Sequence, residues 1–187
     1  MPDSETSNQK GPAIVVMGVS GSGKTSVGEQ MAEHLGLPFG DADGFHPKAN
    51  VEKMSSGIPL TDEDRWPWLD AIGVALRDAE KGMVVTCSAL KRIYRERLTK
   101  AAGEPVIFIF LDGPKEVIAK RMSGRRGHFM PTSLLDSQFA TLEPPGPDEL
   151  AVRISVEPPV KTVVANALAA LPAAEARAVA LSGSAPG

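Results

Sequence analysis

The sequence predicts an α/β protein whose parallel sheet is covered by helices on both faces. Short apolar runs rich in β-branched residues predict buried strands at AIVVMG (13–18), MVVTCSA (83–89), VIFIFLD (106–112) and AVRISV (151–156). A shorter strand is expected to end at Phe39. Helical patterns lie between these runs, at 24–35, 62–79, 90–101, 114–123 and 160–170. Such alternation indicates crossover connections between parallel strands, and sheets of this kind bind ligands beyond the carboxyl ends of their strands.

The composition is that of an ordinary globular protein. The chain has 187 residues, of which 42% are hydrophobic and 23% charged, and its net charge of −3 gives no support for nucleic-acid binding. The single cysteine, Cys87, excludes an internal disulfide and a zinc site built from cysteines. The start of the chain shows no apolar run, and no segment is expected to reach the roughly 18 apolar residues of a membrane span. We therefore expect a cytoplasmic protein with no nucleic-acid or membrane partner.

One folded domain is predicted between two tails. Residues 1–10 are polar and predicted to be disordered, and the domain is expected to span residues 11–171. Residues 172–187 become rich in Ala and then in Ser, Gly and Pro, which predicts a fraying helix followed by a loose tail. Within the domain, Thr61 is predicted to cap the helix over 62–79, because acids fill the first turn that follows.

The segment GVSGSGKT, from Gly18 to Thr25, matches the phosphate-loop pattern G-x-x-x-x-G-K-[ST] in full. It follows an apolar strand and opens an amphipathic helix, where backbone N–H groups and the helix N-terminus bind nucleotide phosphates. Lys24 is expected to reach the β- and γ-phosphates, and the Thr25 hydroxyl to bind Mg²⁺. The predicted nucleotide-binding residues are Gly18, Val19, Ser20, Gly21, Ser22, Gly23, Lys24, Thr25 and Ser26. The alternative is a glycine-rich turn without a ligand, and the pattern alone does not say what happens to the phosphate.

Acids at two places could serve the metal or the substrate. Asp112 ends the run VIFIFLD, as acids that support Mg²⁺ in phosphate-loop proteins often do, but capping the next helix is a sufficient role for it. Asp41 and Asp43 lie two apart on a segment predicted to be extended, so that both side chains point the same way. One could act near Mg²⁺ while the other accepts a proton or hydrogen bond from a substrate hydroxyl. The alternative is a solvated acidic turn.

The chain closely resembles the gluconokinases, a small phosphate-loop family related to the shikimate and adenylate kinases. The resemblance spans about residues 13–170 and is carried by the phosphate loop, GDADGFHPKANVEKMSSGIPLTDEDRWPWL, CSALKRIYR and RRGHFMPTSLLDSQFATLEPP. It implies transfer of phosphate from ATP to D-gluconate, giving ADP and 6-phospho-D-gluconate, with Mg²⁺. It also implies a three-layer sandwich around a five-stranded parallel sheet, a mobile lid and a homodimer.

The family pattern also implies the residues that bind the acceptor. The motifs of that pattern fall on Asp41 and Asp43, His46 and Pro47, Asp64 and Arg65, Cys87 to Lys91, and Gly127, His128 and Phe129. An open-chain polyhydroxy acid needs hydrogen bonds to several hydroxyls and a cation for its carboxylate. The expected substrate-binding residues are Asp43, His46, Lys53, Arg65, Ser88, Arg92 and His128. We expect Asp43 to orient or deprotonate the 6-hydroxyl and Asp41 to hold Mg²⁺ through water, with the division between them open.

The basic segment KRMSGRRGHFM predicts the lid, over about residues 121–135. Phosphoryl transfer builds charge on the transferred group, which arginines stabilise when a site closes, and glycines supply hinges. Arg121 and Arg125 are the predicted catalytic contacts to phosphate, beside Gly124 and Gly127. The alternative is a basic helix end whose cations complement the helix dipole.

Several other residues have a structural alternative. His46 before Pro47 could simply fix a turn, and the helix that carries Arg92 and Arg97 could be a solvated face. Cys87 is expected to pack in the sheet rather than react.

The resemblance to kinases of this fold implies adenine contacts from the loop EPPV (157–160) after the last strand. Trp66 and Trp68 are expected to support a helix start rather than stack on the base.

Two rival functions differ in their predicted acceptor. Another small-molecule kinase of the same fold, such as one acting on shikimate, would lack the His-Pro and Cys-Ser-Ala-Leu-Lys blocks. A nucleotide-dependent switch would hydrolyse slowly without an acceptor, and the guanine-reading sequence Asn-Lys-x-Asp does not occur in this chain.

Overall fold

The computed structural model describes residues 10–123 and 132–183, which fold around one five-stranded parallel sheet. The strands are β1 Ala13–Met17, β2 Phe39–Asp41, β3 Met83–Thr86, β4 Ile107–Asp112 and β5 Ala151–Ser155. Their order is β2-β3-β1-β4-β5, so the central strand β1 pairs with β3 and β4. Because all pairs are parallel, the carboxyl ends of the strands meet at one edge. The parallel α/β sheet predicted from the sequence is confirmed.

Helices cover both faces of this sheet. They are α1 Lys24–Leu35, α2 Lys48–Ser55, α3 Asp62–Asp78, α4 Arg92–Ala102, α5 Lys115–Ser123, α6 Thr132–Thr141 and α7 Val160–Gly183. Alternate side chains of a strand point to opposite faces, and β1 shows the result. Ile14 and Val16 pack with residues of α1 and α7, whereas Val15 and Met17 pack with residues of α3 and α4. The expected three-layer sandwich is therefore confirmed.

Helix α3 begins where the sequence predicts. The Thr61 hydroxyl accepts a hydrogen bond from the Asp64 amide at 3.2 Å, and the Asp64 carboxylate accepts one from the Thr61 amide at 2.9 Å. This reciprocal arrangement is a capping box, which satisfies two donors at the helix start. It fixes the first turn of the helix that carries Arg65 and Trp68.

Some element boundaries differ from the prediction. The strand expected to end at Phe39 begins there instead, because residues 39–41 pair with 84–86 of β3. Strand β3 stops at Thr86 rather than at residue 89, and Ala89 has a left-handed backbone with φ 43°. The short helices α2 and α6 were not predicted, because α2 is mostly polar and neither helix, at 8 and 10 residues, is long enough to show a clear apolar period.

The last helix is longer than expected. The pattern predicted a helix over 160–170 and a domain end at residue 171, but α7 continues across Pro172 to Gly183. Leu171 and Ala174 are buried, so this part of the helix still packs on the core. By length and composition α7 could cross a membrane, contrary to the expectation that no segment could. Its inner face, however, is part of the core cluster that includes α1 and β1.

Candidate active site

A cavity of about 700 Å³ opens at the carboxyl edge of the sheet. Its walls are the phosphate loop, the turn after β2, the start of α3, the loop after β3 and helix α6. Among the predicted site residues it brings together Ser20, Gly21, Lys24, Thr25, Asp41, Asp43, His46, Arg65 and Ser88. The segments predicted for the nucleotide and for the acceptor therefore face the same cavity.

The phosphate loop connects β1 to α1 and requires glycine at its first position. A Cβ atom on Gly18 would lie 2.8 Å from the Ser22 hydroxyl and 3.0 Å from the Leu111 carbonyl oxygen. Gly18 also has φ 152°, a conformation that side chains rarely adopt. The loop ends at Gly23, which precedes α1 in a left-handed conformation and provides no side-chain cap. The first turn of α1 is thus left open for a ligand.

Unpaired donors line the loop, as a phosphate site requires. Among the described residues, no acceptor contacts the backbone amides of Gly21, Gly23, Lys24 and Thr25. The buried Ser22 hydroxyl likewise lacks a hydrogen-bond partner in that part of the chain. Amides at the positive end of a helix bind anions, so the loop fits a nucleotide polyphosphate.

Lys24 lies across this loop. Its ammonium group donates hydrogen bonds to the carbonyl oxygens of Gly18 and Val19, each 3.0 Å away. Burial lowers the pKa of Lys24 to about 8, although nearby Asp43 and Asp41 oppose the shift. A phosphate anion beside the ammonium group would favour its charged form.

The acids Asp41 and Asp43 do not share an extended segment, contrary to the prediction. Asp41 ends β2, and residues 42–45 form a 3-10 turn. The Asp41 carboxylate accepts a hydrogen bond from the Asp43 amide at 2.9 Å and so caps that turn. No group in the described part of the chain pairs with the Asp43 carboxylate, which also lines the cavity. Asp43 is therefore available for a substrate hydroxyl.

Oxygen atoms of Thr25, Asp41 and Asp43 suit Mg²⁺, a hard cation. Mg²⁺ usually keeps several waters and binds one or two protein groups together with substrate phosphates. Within residues 10–123 and 132–183, no cluster of three or more His, Cys, Asp or Glu side chains could hold a metal ion. The donors fit an ion that arrives with a nucleotide rather than one held by protein ligands alone.

His46 faces the cavity with a defined orientation. Its imidazole stacks on the indole of Trp68, with ring centroids 4.3 Å apart and planes inclined by 10°. The side-chain amide of the buried Asn50 lies 3.2 Å from Nδ1, so Nδ1 accepts and the proton is on Nε2. Burial lowers the pKa of His46 from its usual value of 6.5. A neutral imidazole with its proton on Nε2 can donate to a hydroxyl.

The sequence predicted that the two tryptophans support a helix start. In the structure both lie inside α3, which begins at Asp62. The buried Trp68 donates its indole N–H to the carbonyl oxygen of Ala42, 2.7 Å away, in the turn that carries Asp43. Trp66 packs edge to face on Tyr94, with ring centroids 6.1 Å apart. Trp68 thus supports the acceptor side of the cavity.

A cationic corner of the cavity is built on Tyr94, which sequence reasoning missed. Arg65 and Lys91 each place their charge 5.5 Å from the centre of its ring. The Tyr94 hydroxyl donates to the Asp62 carboxylate at 2.6 Å. Burial raises the pKa of Tyr94 to about 12, so it stays protonated and keeps this bond. Arg65 and Lys91 also form ion pairs with Asp62, at 3.8 and 3.7 Å, so two cations share one carboxylate. Arg65, which lines the cavity, therefore still offers positive charge to an anionic group.

Lys53, expected to bind substrate, does not line the cavity. Its ammonium group forms an ion pair with the Asp64 carboxylate at 2.8 Å. The hydrogen bond from Lys53 lowers the pKa of Asp64 to about 2. Because the capping box already fixes Asp64, this pair holds Lys53 against the start of α3.

Arg92 and Arg97 also lie away from the cavity. Arg92 pairs with Glu96 at 3.0 Å and with Asp148, beside a separate cavity of about 300 Å³. Arg97 forms a two-point contact with Asp70 of α3, at 2.7 and 2.8 Å. Both arginines thus form ion pairs with carboxylates of neighbouring segments. This arrangement agrees with the alternative that their helix is a solvated face, and not with substrate binding by Arg92.

Arg121 lies beside the loop expected to contact adenine. Its guanidinium donates to the carbonyl oxygens of Glu157 and Pro158, at 3.2 and 2.8 Å. The predicted lid residues Arg125 and His128, with the rest of 124–131, lie outside the described residues.

Asp112 and Cys87 have structural roles. Asp112 forms an ion pair with Arg153 at 2.7 Å and does not line the cavity. The Cys87 side chain is 1% exposed, and burial raises the pKa of its thiol to about 12, which agrees with the expected packing role.

Comparison with known proteins gives consistent matches over most of the chain. A family model described as shikimate kinase matches residues 20–140. The gluconokinase of Gluconobacter oxydans is 53% identical over 147 residues, which cover 77% of this chain and 82% of that protein. The thermoresistant gluconokinase of Escherichia coli is 43% identical over 168 residues, covering 87% and 95%. The crystal structure of a gluconokinase from Sinorhizobium meliloti is 49% identical, has a TM-score of 0.81 and covers 95% of this chain and 99% of that chain.

These matches agree with the site. The phosphate loop from Ser20 onward, the turn with Asp43 and His46, and the loop with Ser88 lie within residues 20–140, which the family model matches, and they face one cavity. The chain therefore belongs to the gluconokinase family, within the wider group of kinases that the shikimate kinase model describes.

Proposed function

We propose that this chain transfers the γ-phosphoryl group of ATP to the 6-hydroxyl of D-gluconate. The observation that carries the proposal is the single cavity shared by the phosphate loop and the turn with Asp43 and His46. The gluconokinase relatives, which match most of this chain, support the choice of acceptor. The products are ADP and 6-phospho-D-gluconate.

In the proposed reaction, O6 of gluconate attacks the γ-phosphorus. The bond from that phosphorus to the β–γ bridging oxygen breaks, and ADP leaves with the electron pair. Asp43 orients the 6-hydroxyl and accepts its proton. Lys24 and the free loop amides stabilise the charge that develops on the phosphate oxygens. Mg²⁺, for which Thr25 and Asp41 would be ligands, would neutralise further charge when bound.

The acceptor is held, in this proposal, on the opposite side of the cavity. His46 donates from Nε2 to a substrate hydroxyl, and the Ser88 hydroxyl provides a second contact. Arg65, beside Tyr94, binds the carboxylate of gluconate. This division accounts for a cavity with Lys24 and free amides on one side, and with Asp43, His46 and a cationic corner on the other.

Three further properties are proposed on the family resemblance. They are dependence on Mg²⁺, assembly as a homodimer and a cytoplasmic location.

The Asp43→Asn variant tests the assignment of the acceptor side. It should lower kcat by at least about 100-fold, the usual contribution of a general base, while leaving the Kd for ADP unchanged. Glu52→Gln is a matched control, because it neutralises an exposed carboxylate on the adjacent α2. Near-normal kcat in Asp43→Asn would rule out the role proposed for this residue.

A further inference from the structure

Gln138 of α6 contacts the phosphate loop at two points. Its side-chain oxygen accepts a hydrogen bond from the Ser20 amide at 2.6 Å, and its side-chain nitrogen donates to the Ser20 hydroxyl at 2.9 Å. The two residues lie 118 positions apart in the sequence, and both line the cavity. The phosphate-loop pattern does not account for this contact, because Ser20 occupies one of its variable positions.

Two amides of the loop have acceptors on other segments of the chain. The Gly18 amide donates to the Ser88 carbonyl oxygen at 3.4 Å, and the Ser20 amide donates to Gln138. Among the described residues, the amides of Val19, Gly21, Gly23, Lys24 and Thr25 have no acceptor, whereas the Ser22 amide donates to the Val19 carbonyl oxygen at 3.2 Å. In a phosphate loop the amides hold the α- and β-phosphates and the lysine reaches the β- and γ-phosphates. The Lys24 ammonium group lies 3.0 Å from the carbonyl oxygens of Gly18 and Val19, so the end of the loop next to Ser20 faces the terminal phosphate.

Helix α6 holds Gln138 on a fixed element. Leu135, one turn earlier, is 2% exposed and belongs to the core cluster that includes β1 and β4. Asp136 forms an ion pair with Lys115 of α5. A side chain on such a helix can set the position of a loop that has few contacts of its own.

We propose that Gln138 is a positioning residue for the terminal phosphate of ATP. It fixes Ser20, and with it the end of the loop that lies beside the Lys24 ammonium group and faces the γ-phosphate. The inference rests on the ATP site proposed above. A carboxamide suits this role because it accepts from the amide and donates to the hydroxyl. A carboxylate could only accept, and it would place a negative charge beside the phosphate.

Isothermal titration calorimetry on the full chain tests the proposal, with Mg²⁺ and either ADP or a non-hydrolysable ATP analogue. Gln138→Ala should weaken binding of the analogue about tenfold, the usual effect of losing one or two hydrogen bonds, and binding of ADP less than about twofold. Gln138→Glu should weaken binding of the analogue at least as much as Gln138→Ala does. An effect equal for both nucleotides, or absent, would overturn the proposal, because general loosening of the loop would not distinguish them.

A double-mutant cycle separates this role from an indirect one. Ser20→Ala removes only the contact with the Gln138 side-chain nitrogen, so the double variant Ser20→Ala with Gln138→Ala should lose less affinity than the product of the single effects. Ser133→Ala, on an exposed position of the same helix, should bind both nucleotides as the natural chain does. If the affinity losses of the two single variants simply multiply in the double variant, Ser20 and Gln138 are not directly coupled, which would contradict the proposal. Failure of the natural chain to bind the analogue would instead refute the ATP site, and with it the proposed function.

Discussion

The indole N–H of Trp68 donates a hydrogen bond to the backbone carbonyl oxygen of Ala42, 2.7 Å away, while the same ring stacks on His46. Ala42 begins the turn that carries Asp43. One buried side chain of α3 thus fixes both the main chain and the imidazole on the acceptor side of the cavity. The phosphate loop lies on the other side and is held by different contacts.

Trp68→Phe should therefore affect the acceptor more than the nucleotide. The variant keeps an aromatic ring beside His46 but leaves the Ala42 carbonyl without its donor, which costs about 1–2 kcal/mol of unfolding free energy. KM for gluconate should rise about tenfold, the effect of losing one hydrogen bond to the substrate when His46 and the turn with Asp43 shift. Steady-state kinetics with each substrate varied in turn would measure the effect. Trp66→Phe is the control, and an equal rise in KM for ATP in the Trp68 variant would contradict the assignment.

Lys24 should lower the stability of the nucleotide-free protein although catalysis needs it. Its pKa falls from 10.5 to about 8, so the folded state binds fewer protons than the unfolded state between these values. The unfolding free energy should therefore rise with pH across that window. Lys24→Met should abolish phosphoryl transfer yet raise the unfolding free energy at pH 7 by on the order of 1–3 kcal/mol.

Urea unfolding at pH 7, 8, 9 and 10 would measure both effects of Lys24→Met. The increase of unfolding free energy with pH that Lys24 contributes should disappear in the variant. Lys48→Met, at an exposed position of α2, should leave the pH dependence unchanged. A variant less stable than the natural chain at pH 7 would show that the two hydrogen bonds of Lys24 outweigh its desolvation.

Gly73 should be intolerant of alanine because α3 and α4 approach closely there. A Cβ atom on Gly73 would lie 2.5 Å from the Ala101 Cβ and 2.7 Å from the Leu98 carbonyl oxygen. Overpacking of this kind costs about 1–3 kcal/mol, enough to reverse the gain of up to about 1 kcal/mol that alanine gives in a helix. Thermal unfolding of Gly73→Ala should show this loss. Gly44→Ala, where a Cβ atom meets nothing within 4 Å, should be near neutral, and a stabilised Gly73→Ala would disprove the close approach.

Cys87 should be inert in the folded protein. Its thiol is buried and its pKa is raised to about 12, so almost no thiolate is present near neutral pH. Iodoacetamide at pH 8 should leave the native protein unlabelled by mass spectrometry and fully active, while the same reagent in urea labels it. Rapid labelling without denaturant would mean that the strand end opens readily.

The features that the sequence predicted correctly depend on short stretches of chain. The phosphate loop, the cap at Thr61 and the apolar run of β1 each carry their signal within about ten residues, so no tertiary contact is needed to recognise them. Asp41 and Asp43 were correctly placed at the sheet edge for the same reason. Their 3-10 turn was missed, because the period-two pattern of a strand does not show where the strand ends.

The features that were missed depend on partners from distant segments. Lys53 and Arg92 look available in the sequence, but Asp64 and Asp148 reach them only after α2, α3 and α4 have packed. The contact of Gln138 with the phosphate loop joins residues 118 positions apart. A side chain that makes such a contact has no signature within its own helix.

The most direct test of the central claim is an assay of ADP release with Mg²⁺ and ATP, in which D-gluconate and then shikimate, stereoisomers of gluconate and AMP are added singly. The account predicts strong stimulation by D-gluconate, with 6-phospho-D-gluconate as the product. Stimulation by shikimate or AMP but not by gluconate would leave the phosphate loop and Lys24 in their roles. That result would contradict the assignment of Asp43, His46 and Arg65 to gluconate.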